Sequence, residues 1–508
     1  MEINQLYYKD ILENINFKLE KGDLNYLISK SGGGKSTLIK CLAGNIKYKG
    51  SIISEYNEKK IGYMNQEIYL MESLTVLETV KFYHKLFDEN IYNNEFYINY
   101  LNKFLLNNII HSKIGNNILG GISGGEKKRL ILACHLLRNL PILLLDEPFT
   151  GLDHNTSQFI FDVIYNHVKQ NNNICLIAMH NVPKDFYDKV DNIFILNNKT
   201  VIKETRKNSE LNNDFFEIKI NEDYEILNKN VKKKISSYYI FKILINRELL
   251  LIKNNKKSLL GKLLIILILG ILQNLIIGSL GPLTKIVLQS KDIFIQYSYL
   301  MHLIIILFTS SVYPIIFINE FFNYVSIIKN EIDQGWYFSY QIFLIKYLLE
   351  IINIIIYSII YSFIIWMPFI YYNYSYFILN LNIQLQMLIT LSLLFNLSYM
   401  TKNQIITLGC IIFYNTFSFL FNIGYILAYK NKFIGALQYL SITFLQTNSL
   451  ITSLNEQNNS FQWILKQINI LDYNFQHSYQ PLLISLGYFS FLSVCYFLNV
   501  IYINEPSE

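Results

Sequence analysis

The chain is short of charge and of cysteine. Only 16% of its 508 residues are Asp, Glu, Lys or Arg, and the net charge of +6 is too modest to predict a nucleic-acid partner. The five cysteines do not pair at metal-binding spacing, and a disulfide framework is not expected. No internal repeat is visible, and the start at Met1–Asn4 lacks the basic-then-apolar pattern of a signal peptide.

Hydrophobic residues are abundant, and they are unevenly distributed. They make up 52% of the chain, and the second half holds long runs of Ile, Leu, Phe and Tyr with few charges. Most Lys and Glu residues lie in the first half. At about 150 residues per domain, the length allows two or three domains. The composition predicts a soluble domain joined to a membrane domain.

The first 200 residues alternate short apolar strands with helical stretches, which is typical of an α/β domain. Buried strands are predicted at 24–29, 141–147 and 173–180. Residues 203–235 are polar and indicate a linker. The stretch 238–257 is predicted to form an amphipathic helix at a membrane surface.

Six apolar stretches follow, each close to or above the ~20 residues that a helix needs to cross hydrocarbon. They lie near 259–280, 294–318, 343–371, 376–399, 404–428 and 481–503. Residues 229–262 contain ten Lys and Arg, whereas the next loop contains only Lys285 and Lys291. The positive-inside rule therefore predicts a cytoplasmic N-terminal domain, and six spans return the C-terminus to the same side.

The segment SKSGGGKSTL, residues 29–38, follows the first buried strand and opens a helical stretch. A glycine-rich loop at a helix N-terminus presents backbone N–H groups to phosphates, a lysine to the terminal phosphates and a hydroxyl to Mg²⁺. The predicted nucleotide-binding residues are Ser31, Gly32, Gly33, Gly34, Lys35, Ser36 and Thr37. Ser29 stands where the strict pattern has glycine, and the alternative interpretation is a flexible turn.

Two adjacent carboxylates end the apolar strand PILLLDE at residues 141–147. Charge beside a core is costly unless it is paired or bound to metal. In phosphate-loop NTPases a second strand ends in an Asp that holds Mg²⁺, so Asp146 is the predicted metal ligand and Glu147 the predicted general base. A structural helix cap is the alternative.

A second glycine-rich segment, GGISGGEKKRL at 120–130, lies between these two motifs. Together they resemble the ATP-binding-cassette (ABC) proteins, with Ser123, Gly124 and Gly125 as the signature sequence that binds nucleotide. The resemblance extends to Gln66 in GYMNQE, to GLDH at 151–154 and to His180. It implies catalytic roles for Glu147, His180 and Gln66, and Mg²⁺ ligands at Ser36, Gln66 and Asp146. Tyr7 or Tyr8 is a candidate for stacking on adenine.

The segments DEPFTGLDHNTS, MHNVP and EIDQGWYFSYQIFLIKYLLE resemble those of the ABC transporter G subfamily, where the cassette also precedes six spans. Asn181 and Val182 depart from the Gln-Pro that usually follows the histidine. The expected fold class is an α/β phosphate-loop NTPase followed by an all-α six-helix transmembrane domain of the ABC-2 type. The expected domains are a cassette at 1–205, a linker and connecting helix at 206–257, and a membrane domain at 258–508.

The resemblance implies a half-transporter that binds ATP and Mg²⁺, contacts membrane lipids and exports a lipid-like or amphipathic compound. One cassette supplies half of each ATP site, so a second chain is expected, with a homodimer favoured over a heterodimer. The three alternative functions are a soluble ABC ATPase, an importer, and a regulatory half of a heterodimer that binds ATP with weak hydrolysis. The sequence names neither the substrate nor the membrane.

Overall fold

The structure is a computed structural model that describes most of the chain in sixteen segments. They are residues 1–30, 32–56, 61–90, 92–116, 120–180, 184–197, 199–205, 236–279, 305–312, 315, 318–367, 375–401, 403–427, 445–447, 449–450 and 479–502. The chain divides into two compact units. Within the described segments, the first comprises Met1–Asn254 with Ser326–Ile342, and the second Asn255–Val325 with Phe343–Tyr502.

In its described residues, the first unit contains three sheets built from eleven strands. The strands are β1 Glu2–Tyr8, β2 Leu12–Lys18, β3 Leu24–Ile28, β4 Lys49–Ile53, β5 Ile61–Met64, β6 Gly115–Asn116, β7 Gly120–Gly121, β8 Ile142–Asp146, β9 Ile174–Met179, β10 Asn192–Asn197 and β11 Thr200–Thr205. The largest sheet has the order β11-β10-β3-β9-β8-β5, and β2-β1-β4 and β6-β7 form antiparallel sheets. The predicted strands at 24–29, 141–147 and 173–180 are confirmed as β3, β8 and β9.

The centre of the large sheet is parallel, because β3, β5, β8, β9 and β10 all run in the same direction. Every residue of β8 is buried, which is why this strand reads as a continuous apolar run. In such a sheet the carboxyl ends of the strands meet at one edge, where ligands bind in open α/β folds. The phosphate loop after β3 and the carboxylates after β8 therefore reach the same edge.

The described part of residues 1–254 also contains six α-helices: α1 Lys35–Leu42, α2 Val76–Lys85, α3 Asn94–Asn102, α4 Gly124–Leu137, α5 His154–Asn171 and α6 Ser237–Asn254. Short 3₁₀ helices lie at Asn107–Ile109 and Lys184–Lys189. Thr75 and Ser123 each begin a helix with a capping box, and Asp153 caps α5. The structure has a helix, α6, in the predicted stretch 238–257, while its role as a connecting helix and its position at a membrane surface stay predictions.

A segment from the apolar half of the sequence belongs to the first unit. It consists of the end of α8, Ile318–Asp333, and the turn before α9, Ser339–Trp366. Glu331 on α8 accepts hydrogen bonds from Arg247 Nη1 at 2.7 Å and from Tyr83 Oη at 2.6 Å. The end of α8 thus joins α6 through a buried ion pair and α2 through a buried hydrogen bond.

The second unit is helical in its described residues. Its helices are α7 Lys256–Ser279, the first half of α8, α9 Ser339–Trp366, α10 Tyr376–Thr401, α11 Gln404–Leu427 and α12 Tyr479–Tyr502. Lys256–Leu275, Ser339–Trp366 and Tyr376–Ser398 are long and apolar enough to cross a membrane, and Gln404–Phe419 and Gln480–Tyr496 are shorter apolar helices. The predicted stretch 294–318 falls largely outside the described residues. An α/β domain followed by an apolar helical region is confirmed, while the domain boundaries at 205 and 257 and the count of six spans stay predictions.

Candidate nucleotide site

The phosphate loop, residues 29–37, leaves β3 and turns directly into α1. Gly34 is the N-cap of α1 with φ of 94°, a left-handed conformation that favours glycine. A Cβ on Gly34 would also lie 3.0 Å from Ile11 Cγ2. The turn therefore requires glycine at 34, and it points the first N–H groups of α1 towards the carboxyl edge of the sheet. Ser31 lies outside the described residues.

Lys35 is held at the base of this loop by oxygen atoms of the loop itself. Its Nζ donates to Ser29 O at 3.0 Å and to Ser29 Oγ at 3.1 Å, and it lies 3.2 Å from His180 Nδ1. Burial lowers the pKa of Lys35, and the carboxylates of Glu147 and Asp146 oppose that shift. A cation in this position can meet a terminal phosphate only by exchanging some of these partners.

Glu147 lies at the centre of a group of polar side chains from three segments of the chain. Its Oε1 is 2.8 Å from His180 Nε2, and its Oε2 accepts from Gln66 Nε2 at 3.1 Å and from Thr150 Oγ1 at 3.0 Å. The Glu147 side chain is 8% exposed, whereas that of His180 is 46% exposed. Of the three predicted catalytic residues, Glu147 thus contacts both His180 and Gln66.

The partners of His180 fix the tautomer of its imidazole. A carboxylate only accepts hydrogen bonds and an ammonium only donates them. Nε2 must therefore carry the proton that it donates to Glu147, and Nδ1 must accept from Lys35. The result is a continuous chain from Lys35 through His180 to Glu147.

Asp146 is a buried carboxylate at the end of β8. It is 1% exposed, and neither Oδ atom makes a hydrogen bond within the part of the chain that the structure describes. Burial raises the pKa of Asp146, and the nearby Ser36 hydroxyl, although outside hydrogen-bond geometry, opposes that shift. Such a carboxylate fits a divalent cation, because Mg²⁺ binds proteins through one or two carboxylates together with substrate phosphates. Ser36 and Gln66 are the other candidate ligands.

The signature segment, Ser123–Gly125, opens α4 at the mouth of a cavity of about 590 Å³. The cavity wall also includes Gln66, Lys128, Thr150 and Asp153. A Cβ on Gly124 would meet nothing within 4 Å, so the backbone here is open to a ligand. Ser123 Oγ accepts from Glu126 N at 3.3 Å as the helix cap.

Some expectations concern residues beside the site. Tyr7 at the end of β1 is 40% exposed, whereas Tyr8 packs partly against the core, and adenine stacking by either stays a prediction. Asn181 and Val182 lie outside the described residues.

Two residues that contact Glu147 were not predicted from the sequence motifs. Lys128 Nζ donates to the backbone carbonyl of Glu147 at 2.9 Å, and Thr150 binds its carboxylate. Thr150 follows Glu147 in the same turn, so its proximity was available from spacing. No sequence signal brings Lys128 to a residue 19 positions away.

Comparison with known proteins agrees with this geometry. A family model described as ABC transporter matches residues 12–150. The phosphonates import ATP-binding protein of Fusobacterium nucleatum is 31% identical over 207 residues, which are 36% of this chain and 82% of that protein. The chain belongs to the ABC transporter family. Members of this family are ATPases coupled to transport, and the cassette therefore binds nucleotide.

Several ABC relatives carry G-family names. ABC transporter G family member 1 of Dictyostelium discoideum is 32% identical over 221 residues, 40% of this chain and 27% of that protein. The match thus spans about a quarter of this relative's length. A solved ATP-binding subunit of an ABC transporter matches with a TM-score of 0.35 and 25% identity, over 40% of this chain and 89% of that one.

Proposed function

We propose that the chain is a half-transporter of the ABC G type, which uses ATP hydrolysis to export a lipid-like or amphipathic compound. The observation that carries this proposal is the contact of Glu147 with both Gln66 and His180, beside the buried carboxylate of Asp146. The G-family names among the relatives and the apolar helices after the cassette support it.

In the proposed reaction, Lys35 and the phosphate loop bind the phosphates of ATP, and Ser36, Gln66 and Asp146 would hold Mg²⁺. Bound Mg²⁺ would neutralise charge on the phosphate oxygens. Glu147 accepts a proton from the attacking water as general base. His180 orients Glu147 through Nε2 and contacts Lys35 through Nδ1, so it links the base to the phosphate-binding cation.

The proposed assembly is a dimer, with a homodimer favoured and a heterodimer as the alternative. Ser123, Gly124 and Gly125 of one chain act on the ATP that is held by Lys35 of the other. The cassette and both termini lie in the cytoplasm, and the membrane helices contact lipid.

ATP hydrolysis by the purified full-length chain in lipid nanodiscs tests the proposed reaction. Glu147→Gln should lower turnover by about 10²-fold or more, the scale of a positioned base, while ATP binding persists. Glu13→Gln is the control, because Glu13 pairs with Lys199 at the surface. A wild-type chain that binds ATP without turnover would instead support the alternative, a weakly hydrolysing regulatory half of a heterodimer.

A lipid screen tests the proposed substrate class. Sterols, phospholipids and amphipathic drugs are added to the nanodiscs, and the compounds that stimulate hydrolysis are then followed in vesicle flux assays. Flux that requires both ATP and Glu147 supports export, whereas stimulation without flux contradicts it.

A further inference from the structure

Three side chains that contact Glu147 also line the cavity at the signature segment. Gln66 and Thr150 bind its carboxylate, and Lys128 binds its backbone carbonyl at 2.9 Å. All three belong to the wall of the 590 Å³ cavity that begins at Ser123–Gly125. The residues around the base and the residues around the signature segment are therefore partly the same.

Lys128 differs from the other two because it contacts the backbone of Glu147. Glu147 has φ of 50°, a left-handed conformation that residues with a side chain seldom adopt and that needs support from their surroundings. Its N–H donates to Ala178 O at 3.0 Å, and its carbonyl accepts from Lys128. The strained residue is thus held by β9 on one side and by α4 on the other.

Helix α4 places Lys128 one turn beyond the signature segment. Gly125 packs so closely against the turn after Glu147 that a Cβ there would lie 3.0 Å from Leu152 Cδ2 and 3.2 Å from Gly151 O. A shift of α4 would therefore move Lys128 and would at the same time change the contact of Gly125 with Gly151 and Leu152, which follow Glu147 in the chain.

We infer that Lys128 on α4 is a positioning residue that fixes the backbone of Glu147. The orientation of the Glu147 carboxylate therefore depends on the position of α4. This inference rests on the proposed ATPase function. In the proposed dimer, α4 contacts the nucleotide of the partner while Glu147 acts on the nucleotide of its own chain. Lys128 would then connect the two ATP sites through a single side chain.

The test compares Lys128→Met, Lys128→Arg and wild type as full-length chains in nanodiscs. Lys128→Met should lower kcat about tenfold or more, because misplacement of a catalytic group is costly, with KM and the affinity for a fluorescent ATP analogue within about twofold. Lys128→Arg keeps a cationic donor and should recover at least half of kcat. Lys169→Met is the control, since Lys169 also donates to a backbone carbonyl, that of Gly22 at 2.8 Å, and lines no part of the cavity.

Hydrogen exchange gives a readout independent of turnover. In nucleotide-free protein, peptides that cover residues 145–152 should exchange faster in Lys128→Met than in wild type, Lys128→Arg or Lys169→Met. A Lys128→Met kcat within twofold of wild type would overturn the inference, as would an equal fall in ATP affinity or unchanged exchange. The Glu147→Gln variant in the same assay separates the two proposals. If Glu147→Gln is inactive, failure of the Lys128 inference leaves the proposed ATPase function in place. If Glu147→Gln is active, both the inference and the proposed function fail.

Discussion

Residues 29 and 33 of the phosphate loop share one small volume. A Cβ on Gly33 would lie 2.6 Å from Ser29 Oγ and 2.9 Å from Ser29 Cβ, closer than real atoms approach. The serine that departs from the strict pattern thus occupies space that a side chain at 33 would need. The serine at 29 and the glycine at 33 look independent in the sequence, but in the structure each depends on the space that the other leaves.

This shared volume predicts that Gly33→Ala is harmful alone and less harmful with Ser29→Gly. Overpacking costs about 1–3 kcal/mol, and removing the Ser29 side chain leaves Lys30 O at 3.0 Å as the one tight contact. Thermal unfolding and ATP titration of the two single variants and the double variant measure the coupling. A double variant no better than Gly33→Ala would contradict the shared-volume argument.

Asp146 predicts opposite effects on the free and the ligand-bound cassette. Its buried carboxylate lacks a hydrogen-bond partner among the described residues, and burial raises its pKa, so the charged form is unfavourable without a cation. Asp146→Asn should therefore raise Tm of the nucleotide-free chain, by about 2–4 °C for each kcal/mol gained. It should also abolish the further rise in Tm that Mg²⁺ and ATP give to wild type. A lower Tm without nucleotide would show that the carboxylate is satisfied.

At the scale of elements, the end of α8 is joined to α6 and α2 by buried charge. Arg247 and Glu331 are each 1% exposed, and Tyr337 Oη also donates to Glu331. Arg247 lies over the ring of Phe82, with Cζ 4.6 Å from the centroid. Arg247 Nη2 also lies 3.3 Å from Glu248 Oε1, so removing Arg247 leaves two buried carboxylates without their cation, which is costly.

Arg247→Met should therefore cost about 3–5 kcal/mol of stability, whereas Arg247→Met with Glu331→Gln should cost clearly less than the two single changes summed. Denaturant unfolding of the purified chain measures the cycle. Lys262→Met is the control, because Lys262 pairs with Glu320, whose side chain is 52% exposed. Additive effects of the two changes would contradict an energetic link between α6 and α8.

The turn between α8 and α9 also contacts His135, and this contact predicts that the stability of the fold depends on pH. His135 on α4 lies against Trp336 and 3.2 Å from Gln334 Oε1, and burial lowers the pKa of His135 to about 3. The folded state then keeps this histidine neutral while the unfolded state takes up a proton below about pH 6.5. Stability is fully present above that pH and falls by about 1.4 kcal/mol per pH unit as the pH drops towards 3.

His135→Leu should remove that proton uptake and flatten the pH dependence of Tm between pH 6.5 and 5. Gln334 Oε1 still accepts from Trp336 Nε1 at 2.8 Å, so the loop keeps a partner. Equal slopes for wild type and variant, from Tm scans at several pH values, would mean that His135 is protonated in the folded chain.

Sequence patterns predicted the elements better than their contacts. The strands β3, β8 and β9 and helix α6 follow from apolar runs and periodicity, which depend on neighbouring residues. The joining of α8 to α2 and α6 pairs Tyr83, Arg247 and Glu331 across long stretches of chain. The motifs predicted that Gln66, Glu147 and His180 share one site, whereas the inferred role of Lys128 depends on the packing of α4 beside the turn after β8.

At the scale of the whole molecule, the chain carries one phosphate loop and one signature segment. The proposed ATP site uses the loop of one chain and the signature segment of the other. A monomer would leave the bound phosphates open to water, where electrostatic stabilisation of the reaction is weak. Because one chain contains every proposed catalytic residue, a two-fold homodimer supplies all of these residues to both ATP sites.

The proposed dimer predicts that two variants, each inactive alone, regain ATPase activity when they are produced together in one membrane. Lys35→Ala removes phosphate binding, and Ser123→Arg blocks the signature segment. In a mixed dimer one ATP site contains both substitutions and the other contains neither. If each site can hydrolyse ATP independently, ATPase activity should return to as much as about half of wild type per mixed dimer. Separately purified variants mixed in detergent without exchange serve as the control.

Crosslinking decides the case in which the two sites are obligatorily coupled and no activity returns. The Lys30 side chain is exposed, so Lys30→Cys and Ser123→Cys on different chains should give a dimer-sized band with ATP present. Among the natural cysteines, Cys41, Cys134 and Cys175 are buried and Cys410 is exposed, so Cys410→Ser provides the background. Folded protein that shows neither restored activity nor the ATP-dependent band would contradict a signature segment acting on the partner's nucleotide.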